Sequence, residues 1–402
     1  MKKVILGLYL ITITLLLIGC NNKNTIESIN INTENEVEDV IVKQIENMTL
    51  DEKIGQMITV GIDGTEINEQ TKKLIIDKTV GGVILFKNNI IDHNQLLELI
   101  NNLKDTNSKN KVPLFISVDE EGGRVSRLPK EIKKLPSKQT IGRINDKELA
   151  CKIGETIGYS LKSFGFNMDF APVLDINSND KNIVIGDRSF SSNKEIVSTL
   201  GVNEIKGFKS SGVIPVAKHF PGHGDTAVDS HYGLPIIDKT LEELKSLELV
   251  PFKRAINENV PCIMISHIML SQIDDINPSS MSRTLINDIL RKDLNFDGVI
   301  VTDDMTMGAI TNNYDISKAC IKSINAGADL LLVCYGYDNE IDIINNIKNE
   351  VNKGNIPIER INESVYRILS LKQEYKISDE KIKEIDIESI NSRYEEILKR
   401  VN

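Results

Sequence analysis

The sequence predicts an α/β protein whose strands close into a (β/α)8 barrel. Eight short β-rich runs alternate with longer segments of helical period from residue 37 onward, which is the pattern of an α/β fold. No internal repeat accompanies them, so a solenoid or a propeller is not expected. Charged residues follow several runs directly, at the ends where barrel enzymes carry their active sites. A doubly wound sheet is the alternative if one strand is miscounted.

The eight runs are short and mostly apolar. They are Gln56–Ile62, Gly81–Phe86, Leu114–Val118, Asn167–Leu174, Val213–Ala217, Cys262–Ile265, Gly298–Thr302 and Asp329–Val333. The helices predicted between them are Asn94–Lys104, Asp146–Ser163, Lys194–Ser210, Leu241–Asn257, Ser282–Leu294 and Ile316–Ala326. Thr49 and Glu52 have the spacing of a capping box, which predicts a further helix that begins before the first strand.

Polar side chains follow five of the predicted strands. The residues concerned are Asp119 after the third strand, Asp175 after the fourth, Lys218 and His219 after the fifth, His267 after the sixth, and Asp303 and Asp304 after the seventh. Because the carboxyl ends of parallel strands meet at one mouth of a barrel, these side chains are expected to converge there.

The composition is that of a globular protein with one large core. The chain has 402 residues, of which 40% are hydrophobic, and a formal net charge of −10. Nucleic-acid binding depends on clustered Lys and Arg, and no basic stripe is visible in the sequence. We therefore expect no nucleic-acid partner.

The amino-terminal segment predicts export. Lys2 and Lys3 precede an apolar run from Val4 to Ile18, as in a secretory signal over residues 1–20. The sequence from Leu17 to Cys20 resembles a bacterial lipobox, which implies lipidation of Cys20 and anchoring to the outer face of the cell membrane. An uncleaved membrane-spanning helix is the alternative, although the run is short for one. Residues 21–36 are polar and predict a flexible tether.

The other four cysteines are widely spaced and lie mostly in apolar segments. They are Cys151, Cys262, Cys320 and Cys334. They form no CxxC pair and lack the density of a disulfide scaffold, so buried thiols are expected, with one disulfide as the alternative.

The segment Lys218–His231 holds three of the chain's five histidines. Pro221 and the glycines at 222 and 224 preclude a continuous helix, so the whole segment is predicted as a loop that leaves the strand Val213–Ala217. Its ionisable groups could bind zinc, although none of their spacings matches a helical metal motif. The possible ligands are His219, His223, Asp225, Asp229 and His231.

The triplet Asp229-Ser230-His231 indicates another role. An Asp two residues from a His can bond one ring nitrogen, fix the tautomer and leave the other nitrogen free to move a proton. A simple ion pair within the loop remains open.

Asp303 and Asp304 end an almost wholly apolar strand. Strand alternation places Asp303 on the same face as Val299 and Val301, and Asp304 on the other face. One aspartate can therefore be a nucleophile while its neighbour caps the following helix. Both could instead be helix caps.

The segment Asp119–Arg127 contains a glycine pair that permits a sharp turn. Asp119 and Arg127 could bind hydroxyl groups, or could form a surface ion pair with each other. The chain lacks a GxSxG elbow and a P-loop ending in Lys-Ser/Thr, so a serine hydrolase and a P-loop nucleotide-binding protein are not expected.

Five motifs together resemble glycoside hydrolase family 3, in its β-N-acetylglucosaminidase branch. They are the Asp119–Arg127 segment, Phe170–Asp175, Ile185–Phe190, Lys218–His231 and Val301–Met305, and the resemblance extends from residue 46 to about residue 375. It implies a TIM barrel that removes terminal, non-reducing β-linked N-acetylglucosamine with retention of configuration, without a metal or another cofactor.

The resemblance also implies residue roles. Asp303 corresponds to the nucleophile, His231 to the general acid/base and Asp229 to the partner of that histidine. The implied sugar-binding residues are Asp119, Arg127, Arg188, Lys218 and His219. The implied partners are N-acetylglucosamine-containing oligosaccharides or muropeptides from peptidoglycan.

Several other functions remain open at this point. A histidine acid/base would not repel an anion as a carboxylate would, so phosphate could replace water and the protein could be a phosphorylase. A β-glucosidase of the same family, a metal-dependent hydrolase and a non-catalytic glycan-binding lipoprotein are further alternatives. The chain has no Trp and 5% aromatic residues, which favours a single-sugar pocket lined by hydrogen bonds.

The predicted barrel domain covers residues 37–375. Some family members continue into a second α/β domain, which is not expected in this chain. Residues 376–402 predict a helical tail, because Ile387, Ile390, Tyr394 and Ile397 lie at helical spacing.

Overall fold

Eight parallel strands close into a barrel in the computed structural model, which describes residues 40–226 and 228–401. In order around the barrel they are β1 (Ile58–Val60), β10 (Leu330–Val333), β9 (Val299–Asp304), β7 (Cys262–Ile265), β5 (Ile214–Phe220), β4 (Met168–Asp169), β3 (Phe115–Val118) and β2 (Gly82–Leu85). Two further strands, β6 (Ile236–Ile237) and β8 (Met269–Leu270), pair outside the barrel. The predicted (β/α)8 fold is confirmed.

The helices alternate with the barrel strands along the chain. Within the described residues of the barrel unit, the α-helices are Leu50–Gln56, Glu69–Ile76, His93–Asn107, Lys138–Ile144, Lys147–Phe164, Lys194–Ser211, Leu241–Ser246, Leu249–Asn257, Gly308–Thr311, Ile316–Ala326, Tyr337–Asn352, Ile358–Glu374 and Ile387–Val401. Thr284–Asp293 forms a π-helix. The predicted helix Leu241–Asn257 is therefore two helices, and the Thr49–Glu52 capping box is present.

Residues 40–48, which are helical over 40–46, are separate from the compact unit that begins at Thr49. The predicted signal peptide, the lipidated Cys20 and the tether all lie outside the described residues. In residues 40–226 and 228–401, the structure contains no helix long and apolar enough to cross a membrane.

The strand β4 is shorter than the run that predicted it. Asn167–Leu174 was expected to be one strand, but regular pairing ends at Asp169. Pro172 has no amide hydrogen, so it cannot continue a regular ladder. The chain nevertheless stays beside β5, because the Lys218 amide donates to the Pro172 carbonyl at 3.1 Å and the Leu174 amide donates to the Lys218 carbonyl at 2.6 Å.

The amino end of the barrel is closed by a buried lysine. Lys372, on the helix Ile358–Glu374, donates to the Gln56 side chain at 2.8 Å and to the carbonyls of Gly81 at 2.8 Å and Pro113 at 2.7 Å. These three acceptors precede β1, β2 and β3. The ammonium group therefore ties three strand starts together at the end of the barrel opposite the strands' carboxyl ends.

The last helix, Ile387–Val401, packs against the helix Lys147–Phe164. Ile390, Tyr394 and Ile397 are buried, as expected for one face of an amphipathic helix. Arg400 pairs with Asp146 at 2.7 Å.

The four described cysteines are free thiols. Cys262, Cys320 and Cys334 are buried as predicted, whereas Cys151 is only half-buried.

Candidate active site

A cavity of about 230 Å³ opens at the carboxyl ends of the strands. Seven of the eight predicted catalytic and sugar-binding residues line it: Asp119, Arg127, Arg188, Lys218, His219, His231 and Asp303. The eighth, Asp229, contacts His231. Residues up to 184 positions apart in the chain thus meet around one small space, because the barrel brings its strand ends to a common mouth.

Asp303 lies near the end of β9, on a strand fixed by β7 and β10. Its carboxylate accepts the Asp304 amide at 2.9 Å. Burial alone would raise the pKa of Asp303, but the nearby His267 and His219 rings and the Asp304 amide hold it below its ordinary value. The carboxylate is therefore anionic at neutral pH, as a nucleophile must be.

Asp304 does not cap the following helix, which corrects one expectation from the sequence. Its carboxylate accepts the Thr306 amide at 2.9 Å, the Thr306 hydroxyl at 2.6 Å and the Cys334 amide at 3.0 Å. The helix Gly308–Thr311 begins after Met307, which provides no side-chain cap. Asp304 thus fixes the turn after the strand and links β9 to β10.

His231 and Asp229 form a pair on the loop that follows β5. The Nδ1 atom of His231 lies 2.7 Å from Asp229 Oδ1, and the same oxygen accepts the His231 amide at 2.9 Å. Burial tends to raise the pKa of Asp229, but these bonds to His231 lower it overall. The His231 side chain is 63% exposed, and its Nε2 has no hydrogen-bond partner among the residues the structure describes. That nitrogen is available to exchange a proton.

Glu121 organises the polar wall of the cavity, although its role was not predicted. Arg188 donates two parallel hydrogen bonds to it, at 2.8 and 2.7 Å, and Lys218 Nζ lies 2.7 Å away. Burial would raise the pKa of Glu121, but the two cations outweigh burial and hold it far below its usual range. Lys218 also donates to Asp119 at 2.6 Å. Asp119 therefore pairs with Lys218 rather than with Arg127.

Asp175 is a second residue whose role sequence reasoning missed. Its fully buried carboxylate lies 2.6 Å from His219 Nδ1 and accepts the His223 amide at 2.6 Å. Burial tends to raise the pKa of Asp175, whereas His219 and His223 lower it overall. The signal for this role was its position directly after the fourth predicted strand.

The prediction that Lys218–His231 is a loop throughout is wrong for its first three residues. Strand β5 continues to Phe220, so Lys218 and His219 lie on the strand. Their side chains are therefore held by a rigid element. Pro221 ends the strand, and the turn that follows carries His223 into the interior. The prediction was wrong for these first residues because it placed the strand end at the first charged side chain.

The described residues contain no group of three or more His, Cys, Asp or Glu side chains arranged to share a metal ion. The histidines proposed as zinc ligands have separate partners. His219 bonds Asp175, His231 bonds Asp229, and His223 bonds two hydroxyl groups.

His223 connects the two ends of the turn that leads to His231. Its Nδ1 lies 2.8 Å from the Thr226 hydroxyl and its Nε2 lies 3.1 Å from the Ser230 hydroxyl. Burial lowers the pKa of His223 to about 4. The ring is thus neutral at physiological pH, and it holds Ser230, the residue before the acid/base candidate.

We expect His223 to make the free energy of unfolding depend on pH. An unfolded His titrates near pH 6.5, so between about pH 6.5 and 4 the unfolded chain binds a proton that the folded chain does not. Stability is therefore fully present above pH 6.5 and falls as the pH is lowered, by up to about 3 kcal/mol. Denaturant unfolding at pH 7 and pH 4.5 measures this loss.

His223→Gln should show a weaker loss than the wild type over that interval. The partly exposed His93 provides a control for the loss of one histidine, so His93→Gln is measured in the same way. Equal pH dependence in all three proteins would contradict the role assigned to His223.

Comparison with known proteins gives consistent relatives. Residues 49–371 match the family model of the glycosyl hydrolase family 3 N-terminal domain. The chain is 35% identical over 332 residues to β-hexosaminidase A of Pseudoalteromonas piscicida, a match that covers 77% of this chain and only 56% of that relative. It is 36% identical to β-hexosaminidase of Haemophilus influenzae (strain PittEE), covering 72% of this chain and 83% of that one.

The structure also resembles a solved one. A glycoside hydrolase family 3 β-N-acetylglucosaminidase from Paenibacillus sp. str. FPU-7 superposes with a TM-score of 0.82 at 37% identity, covering 87% of this chain and 68% of that chain.

Proposed function

The chain belongs to glycosyl hydrolase family 3, and on that premise we propose that it is a retaining exo-β-N-acetylglucosaminidase that releases terminal, non-reducing β-linked N-acetylglucosamine. One observation carries the proposal: the Asp303 carboxylate and the His231 imidazole line the same small cavity, next to a wall of charged groups. A carboxylate and a proton donor around one sugar are the two groups that glycoside cleavage requires.

In the first step, an Asp303 oxygen bonds to the anomeric carbon while the bond from that carbon to the leaving oxygen breaks. The leaving oxygen takes the proton from protonated His231. The Asp229 carboxylate lies 2.7 Å from Nδ1 of His231, which orients the ring and leaves Nε2 to carry the transferred proton. The product of this step is a glycosyl ester on Asp303, with the leaving group released as a neutral alcohol.

In the second step, neutral His231 takes a proton from water, whose oxygen bonds to the anomeric carbon as the ester bond to Asp303 breaks. Two displacements at one carbon restore the original configuration. The same nitrogen thus donates a proton in the first step and accepts one in the second.

The terminal sugar is held by the polar wall. Asp119, Lys218 and His219 offer acceptors and donors to its hydroxyl groups, and the ion pairs among Lys218, Glu121 and Arg188 fix these side chains in advance. Preorganised contacts of this kind bind a single ring with a defined orientation. The natural substrates that we propose are peptidoglycan fragments with a terminal N-acetylglucosamine.

Turnover of aryl β-N-acetylglucosaminide and aryl β-glucoside by the protein beginning at residue 21 tests this function. We expect release of N-acetylglucosamine, and the NMR spectrum should show that the β-anomer of this sugar forms first. Preference for the glucoside would favour a β-glucosidase instead, and an α-anomer as first product would contradict the double displacement.

Phosphorolysis is a second candidate, favoured by the imidazole in place of a second carboxylate at the acid/base position. A neutral imidazole does not repel phosphate. Added phosphate should then yield N-acetylglucosamine 1-phosphate, and its absence from the products rejects this candidate.

We also propose that the protein is exported and attached to the membrane through lipid on Cys20, on the strength of the lipobox-like sequence Leu17–Cys20. Labelled palmitate should enter the wild-type chain in bacterial cells but not Cys20→Ala. Equal labelling of both chains would reject the anchor.

A further inference from the structure

Part of the cavity lining is apolar and aromatic. Two strands that flank β1, namely β2 and β10, bring an aromatic pair to this part. Phe86 directly follows β2, and Tyr335 lies two residues after β10. Their rings stack with centroids 5.4 Å apart and planes inclined by 20°. The low aromatic content of the chain had suggested a pocket without stacking, so this pair is unexpected.

The apolar side chains that line the cavity differ in how far they are buried. Ile84, Met264 and Leu332 are almost completely buried and line the floor of the cavity. Tyr335 is 51% exposed and lies at the mouth. One face of its ring is covered by Phe86, which holds the ring in place and leaves its remaining surface accessible. A substrate group that touches Tyr335 must therefore lie near the entrance.

An enzyme that removes a terminal sugar keeps that sugar at the bottom of its pocket. The leaving group then projects toward the mouth, where Tyr335 lies. Rigid aromatic rings bind flat apolar surfaces, and a pyranose or an aryl group presents such a surface. Polar contacts hold the terminal sugar on the charged wall, so the aromatic wall is available to the other half of the substrate.

We propose that Tyr335, supported by Phe86, forms the binding surface for the leaving group and selects substrates in which the leaving group is a ring. This inference rests on the proposed function and deepens it, since it names a specificity-determining residue for the same site. The preferred substrate is then at least a disaccharide or an aryl glycoside rather than a simple alkyl glycoside.

The test compares two substrates that share a terminal sugar and an alcohol leaving group. Chitobiose carries a second pyranose, whereas methyl β-N-acetylglucosaminide carries only a methyl group. Tyr335→Ala should lower kcat/KM for chitobiose by roughly two- to tenfold, the effect of one lost stacking contact, and leave the methyl glycoside unchanged. Tyr335→Phe retains the ring and should behave as the wild type with both substrates.

Tyr232 provides a matched control outside the cavity lining. It is 81% exposed and is not among the residues that line the cavity, so Tyr232→Ala should keep the wild-type ratio of the two kcat/KM values. Because Tyr335 is half-exposed, its replacement should also leave the melting temperature unchanged.

Two results would overturn the inference. An equal loss with both substrates would place Tyr335 in contact with the terminal sugar, and no loss with either would remove it from binding. Failure of the proposed function has a different signature, because the wild type would then not hydrolyse either N-acetylglucosaminide. The same pair of measurements with cellobiose and methyl β-glucoside would in that case decide the role of Tyr335.

Discussion

Replacing Asp303 with alanine should lower kcat for aryl β-N-acetylglucosaminide by at least about 10⁴-fold, because the covalent intermediate can no longer form. The loss should be similar for good and poor leaving groups, since both displacements depend on this carboxylate. Initial rates at saturating substrate measure it. Asp303 lies on a strand paired on both sides, so the variant should retain its fold and its melting temperature.

The exposed Asp238 provides a control for the loss of one carboxylate. Its side chain bonds Ser271 and Gln272, and it does not line the cavity. Asp238→Ala should therefore remain active. A folded Asp303→Ala protein with more than about 1% of wild-type activity, or a trapped glycosyl-enzyme on another residue in a peptide mass spectrum, would disprove the assignment.

His231→Ala is expected to have the second largest effect, and the size of the effect should depend on the leaving group. General acid catalysis contributes roughly 10²- to 10⁴-fold, so kcat/KM for methyl β-N-acetylglucosaminide should fall within that range. A dinitrophenyl glycoside needs no proton on its leaving oxygen, and its kcat/KM should change little. Its kcat should still fall, because the second step has lost its base and the glycosyl-enzyme accumulates.

Asp229→Asn should give a smaller loss with the same dependence on the leaving group, since it removes the charge beside Nδ1 but keeps the ring. His93→Ala is the control for loss of a histidine, because His93 does not line the cavity. Equal losses of kcat/KM for the methyl and dinitrophenyl glycosides would show that His231 does not protonate the leaving group.

The barrel could be predicted from the sequence because each of its strands is a separate local signal. Val299–Val301 is apolar on both faces, which only a strand covered on both sides permits, and the runs recur with helices between them. The end of β5 was misplaced because two of its last three residues are functional as well as structural. Lys218 and His219 are charged or polar and yet nearly buried, which composition alone does not indicate.

The missed residues depend on contacts between distant segments. Glu121 meets Arg188 from 67 positions away, and Asp175 meets His219 from 44 positions away. An isolated Asp or Glu in the sequence has the same appearance whether it lies on the surface or neutralises a buried cation. The position of Asp175 after a strand places it near the mouth, but its pairing with His219 is decided by the closure of the barrel.

The same limit applies to the aromatic residues. A low overall aromatic content favours a pocket lined by hydrogen bonds, but it does not reveal that Phe86 and Tyr335 lie at one cavity. Their strands are β2 and β10, the second and last in the chain, and they become near neighbours only because the sheet closes on itself through β1.

The two proposed reacting groups lie on different kinds of element. Asp303 belongs to the barrel strand β9, whereas His231 lies on the segment that follows β5. The His231 side chain is largely exposed, so its replacement alone should leave the strand that carries Asp303 in place. A variant that lacks the imidazole would still form the ester from glycosides with strongly acidic aglycones. The ester would accumulate until an added nucleophile such as azide bonds to the anomeric carbon and displaces Asp303. The scaffold thus offers a starting point for making glycosyl azides.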